Sequence, residues 1–270
     1  MKEITLNKKT KNIPACLEEL SAEQYERFLE LSLLLNGGHI TPREMRTMWL
    51  SELMSICSPY QRYYGKQQIA ELDSQLHQTD GFFKISQGVS GEVVYEPMLN
   101  TGVNLLPQYK GWTGVGNMLS GLTYDKFVNC HNALKEINRL SDSKDYANLE
   151  GIFNEIAHNL YANENPEAEV PPILAYHSFL LFSSVWHLIC SVPIPINGEA
   201  VPFTALFAKE QAGGRADDHD PMGWTGVSFE IASSGVFGCV KEVNKTEFWD
   251  VLLYLYKCKV DSDRLKKEIS

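Results

Sequence analysis

The chain has 270 residues, of which 44% are hydrophobic and 21% charged, with a formal net charge of −10. That is a globular composition rather than a disordered one, and it is enough to bury a core in one large domain or two small ones. An acidic surface repels nucleic-acid backbones, which excludes sequence-independent nucleic-acid binding as a main activity.

The stretch from Met1 to Lys9 has no apolar h-region, so no signal peptide is expected. Lys8, Lys9 and Lys11 read as a solvated end, as do Arg264, Lys266 and Lys267 at the other terminus. The first 60 residues predict a helical hairpin. Ser21 and Gln24 form one capping box, and Thr41, Pro42 and Glu44 mark a second helix start. Asn36-Gly37-Gly38 stops the first helix, and Pro59 is expected to end the second. A weaker helix is expected from Lys66 to Gln78. A β-hairpin follows, with Phe82–Ser86 and Glu92–Glu96 as its strands.

Pro97 to Gly121 predicts an irregular link. Helices are expected from Thr123 and over Lys144–Leu160, then an acidic exposed loop at 163–169. The run Val170 to Gly198 contains no Asp, Glu, Lys or Arg. Its length invites a membrane reading, but His177, His187, four serines and two prolines interrupt it. It predicts a core helix over Pro172–Val192. Asn197-Gly198 fits a type I′ hairpin turn. Glu210–Met222 reads as a mobile polar loop. Two final helices are expected, one stopped by Gly235 and one opened by an Asn244–Glu247 capping box. The apolar link Val236–Val240 between them is expected to pack down.

The chemistry-bearing residues are sparse. Asp217, Asp218, His219 and Asp220 are the most metal-like cluster, but no His-x-x-x-His or EF-hand spacing accompanies them. They read as a solvated acidic loop, with a metal-dependent enzyme as an alternative. His177 and His187 are ten positions apart on one helix. That sets them about 80° apart in direction, so they read as separate histidines rather than one metal site. The six cysteines are scattered, lack a Cys-x-x-Cys pair and predict free buried thiols in a reducing compartment. Neither a phosphate-binding loop nor a Gly-x-Ser-x-Gly elbow is present. Catalytic and cofactor residues are therefore not assigned. Met45, Met48, Trp49 and Leu53 form an apolar helix face that could meet a partner or the chain's own core. The pentapeptide Gly-Trp-Thr-Gly-Val occurs at 111–115 and at 223–227, with flanks that do not align.

Four segments recur in an order that carries a resemblance. They are Ile13-Pro14-Ala15-Cys16-Leu17-Glu18-Glu19-Leu20-Ser21-Ala22-Glu23-Gln24-Tyr25, then Gly121-Leu122-Thr123-Tyr124-Asp125-Lys126-Phe127, then Ile231-Ala232-Ser233-Ser234-Gly235-Val236-Phe237-Gly238, and last Val251-Leu252-Leu253-Tyr254-Leu255. Together they resemble a protein of the tail-morphogenesis modules of phages and prophages of Bacteroides-like bacteria, described as tail assembly chaperone-like. The Phe82–Tyr95 hairpin and the Glu210–Met222 loop lie outside that pattern.

The expected fold is mainly α, a multi-helix globular protein with one or two small β-hairpins. Its parts are an amino-terminal helical hairpin plus hairpin over 1–100, and a helical domain around the buried central helix over 101–270. The resemblance implies a non-enzymatic protein acting in tail assembly. Its partners would be tape-measure-like tail proteins or a second copy of itself, with no nucleic acid, membrane or cofactor. It would work in the bacterial host cytoplasm. A structural subunit of the virion tail or head–tail connector is the alternative within the same family.

Overall fold

The computed structural model describes residues 1–6, 9–56, 66–87, 91, 93–143, 148–165, 167–207 and 222–269. Among the described residues the fold is mainly α, 61% helical, with antiparallel sheets of two or three strands. The chain divides into two compact units, Met1–Thr101 and Gly102–Ser270.

The first unit opens with a hairpin that the sequence reading missed. Strand β1 (Lys2–Leu6) pairs antiparallel with β2 (Lys9–Ile13), from Lys2 opposite Ile13 to Leu6 opposite Lys9. Ile4, Leu6 and Ile13 point inward and are buried. Lys9 and Lys11 are therefore strand residues rather than a loose end, and the Lys11 ammonium donates to Ser55 Oγ at 2.7 Å.

Helix α1 (Ala22–Asn36) starts at the expected capping box, with the Gln24 amide donating to Ser21 Oγ at 3.2 Å. Helix α2 (Pro42–Leu53) starts at the second, where the Thr41 amide donates to Glu44 Oε2 at 2.7 Å. It ends at Leu53, ahead of Pro59, which lies outside the described residues. Helix α3 (Lys66–Ser74) is shorter than expected and gives way to a 3₁₀ segment, Leu76–Phe82. Strands β3 (Phe83–Gln87) and β4 (Val93–Pro97) form the expected hairpin. Phe28, Trp49 and Phe82 hold the core together, with ring centroids 4.9 to 5.7 Å apart. Burying each such ring removes enough apolar surface to supply roughly 2–3 kcal/mol.

The second unit is built on three helices: α4 (Tyr124–Ser143), α5 (Leu149–Leu160) and α6 (Pro172–Ser191). The charge-free run is α6. Ten of its residues are buried, including Leu174, Leu181, Phe182, Val185 and Ile189. Phe153 of α5 stacks on Phe179 at 4.7 Å, and Phe127 of α4 meets Phe182 at 5.9 Å. By length and composition α6 could cross a membrane, yet half of its most apolar window is covered by the protein itself.

A small sheet lies where an irregular link and a loop were expected. It is β5 (Gln108–Tyr109), β6 (Trp112–Gly114) and β7 (Tyr161–Asn163), in that order. Strands β8 (Ile194–Ile196) and β9 (Glu199–Val201) turn at Asn197 and Gly198, with φ of 52° and 86°, as the type I′ reading requires.

Helix α7 (Gly223–Ser234) ends at Gly235, whose φ of 73° suits glycine. Helices α8 (Val240–Lys245) and α9 (Phe248–Ile269) follow. The expected Asn244 cap is corrected, because Asn244 lies inside α8 and the start of that helix is held by Cys239 and Glu242, at 2.7 Å. The link at Val236 does not pack down as a whole: Val236 is exposed, while Phe237 rests on Tyr254.

Candidate functional site

The apolar face of α2 is committed to the core of its own unit. Met45, Trp49 and Leu53 are fully buried, and only Met48 keeps partial exposure. That corrects their reading as a partner-binding set, because the Phe28 and Phe82 rings already occupy the face. Asp217, Asp218, His219 and Asp220 fall outside the described residues. Among the described residues, no group of three or more His, Cys, Asp or Glu side chains is placed to hold a metal ion. Cys130 is buried, whereas Cys239 and Cys258 are exposed, against the expectation of buried thiols.

The first unit carries a groove between the amino-terminal end of α2 and the face of β4. One cavity of about 490 Å³ is lined by Thr41, Arg43, Arg46, Asp73, Val93 and Tyr95, among others. An adjoining cavity of about 390 Å³ shares Pro42 and Tyr95 and extends to Leu35, Glu96 and Leu99. Alternation along β4 puts Val93, Tyr95 and Pro97 on one face, which forms one wall.

Arg46 is the chemically informative residue of this groove. It is only 6% exposed, and a buried guanidinium needs partners for its N–H groups. Its Nε donates to Thr79 Oγ1 at 3.2 Å, and Nη2 donates to the Leu76 carbonyl at 2.7 Å and to Asp80. Its plane lies 3.9 Å from the centre of the Tyr95 ring. Arg43, on the rim, pairs with Asp73 at 2.6 Å.

The second unit buries a polar hub. Asn104 Oδ1 accepts from the Leu106 amide at 3.0 Å and from the Tyr161 hydroxyl at 2.9 Å, and lies 3.0 Å from His177 Nε2. Its Nδ2 donates to the Val115 carbonyl at 2.7 Å, which fixes the amide orientation. His177 Nε2 must therefore carry the proton it shares with Asn104. Burial pushes the His177 pKa down to about 3 and the Tyr161 hydroxyl well above its ordinary value. The hub pins the 104–116 segment to α6 and β7. Its groups spend their bonding capacity on one another, and they resist the protonation changes that acid–base work requires.

An aromatic cluster joins α4, α6, α7 and α9. Phe127 stacks on Phe248 at 4.3 Å, and His131 lies 4.8 Å from Trp186 and 5.8 Å from Trp224. His131 Nδ1 has no partner among the described residues, and burial pushes its pKa down to about 4. The Tyr124 hydroxyl donates to the Trp224 carbonyl at 2.8 Å and holds α7 against α4. The outer side of this segment is apolar and exposed: Met222 and Phe229 are each 50% exposed and Val236 57%. Sequence reasoning missed this surface because it placed Met222 at the end of a polar loop, Phe229 in a helix and Val236 in a packed link.

No family model matches the chain, and neither the curated proteins nor the solved structures hold a significant match to it.

Proposed function

We propose that the chain is a non-enzymatic protein-binding molecule that acts in phage or prophage tail assembly, shielding apolar helical segments of a tail protein until polymerisation. The observation that carries this reading is the segment Ile231–Gly238. It bears one of the ordered resemblances and forms an exposed turn, with Gly235 and Gly238 at φ of 73° and 80° and Val236 largely open to solvent. Together with Phe229, that turn offers apolar surface of the kind that a helical partner covers.

The test is co-expression of the full chain with the neighbouring tail genes, followed by pull-down. Retention of a tape-measure-like protein, lost on Phe229→Glu, supports the reading. Failure to retain any tail protein sinks it. The same family resemblance also favours a structural subunit of the tail or head–tail connector. Mass spectrometry of purified virions separates the two, because an assembly chaperone is absent from finished particles.

A further inference from the structure

We draw no further inference here: the strongest candidate, the groove of the first unit between the amino-terminal end of α2 and the face of β4, carries nothing, because Arg43 and Arg46 are already paired with Asp73 and Asp80 and nothing in the structure shows what covers it.

Discussion

Glu247 Oε1 accepts a hydrogen bond from the Gly121 amide at 2.8 Å, across 126 positions of chain. Around it, Thr123 bridges to Glu247, the Tyr124 amide donates to the Thr246 carbonyl, and the Phe248 amide donates to the Leu122 carbonyl. The starts of α4 and α9 are thereby sewn together by main chain and one carboxylate. Glu247→Ala is expected to cost about 1 kcal/mol, the usual worth of a charge-assisted bond at a partly open site. Glu247→Gln keeps an acceptor and is expected to lose less. Urea denaturation of the two variants checks the order.

Asn104 serves four partners from one buried side chain. Asn104→Leu fills the same space and strands the Leu106 amide, the Val115 carbonyl and the His177 ring. A loss of about 3 kcal/mol is expected, since each orphaned buried group costs about 1–3 kcal/mol and some will relax. A shift in the urea midpoint of less than a third of that size would mean the hub is ornamental.

Gly114 faces the Tyr161 ring so closely that an added Cβ would sit 2.3 Å from Cε1. Gly114→Ala must displace that ring and pull its hydroxyl off Asn104. A loss of about 2 kcal/mol is expected. Combined with Tyr161→Phe, the two losses should add to less than their sum, because both act on one contact. Strict additivity in thermal or urea unfolding would refute this coupling.

Acid should weaken the second unit before its carboxylates titrate. His131 and His177 are neutral in the fold, with pKa values pushed down to about 4 and about 3 by burial. The unfolded chain takes up those protons near pH 6.5 and the folded chain does not. Stability from neutral imidazole is whole above pH 6.5 and falls as pH drops toward 4, by up to about 1.4 kcal/mol per histidine per pH unit. Urea unfolding at pH 7, 6 and 5 should show the decline. His131→Phe should flatten about half of it.

Much of the helical frame could be read from local signals. The boxes at Ser21 and Thr41, the charge-free run of α6, and the Asn197-Gly198 turn are each specified by neighbouring residues. What escaped depends on distant partners. β1 and β2 carry only five residues each, and their lysines obscured the inward alternation of Ile4 and Leu6. β6 pairs with β7 some fifty positions on, which no local pattern announces. The two Gly-Trp-Thr-Gly-Val copies make the point most directly. One lies in a strand with Trp112 opposite Asn163, and the other opens helix α7, so tertiary context decided both. The groove at Arg46 escaped for the same reason. Its members come from α2, α3 and β4, and an arginine amid an apolar helix face gives no hint of a cavity.

The seam between Gly121 and Glu247 also imposes an order on biosynthesis. Helix α4 leaves the ribosome long before its amino-terminal end can be sealed, since the sealing carboxylate is made more than a hundred codons later. Until Glu247 and Phe248 are made, the Gly121 amide and the Leu122 carbonyl lack the partners that the finished fold gives them.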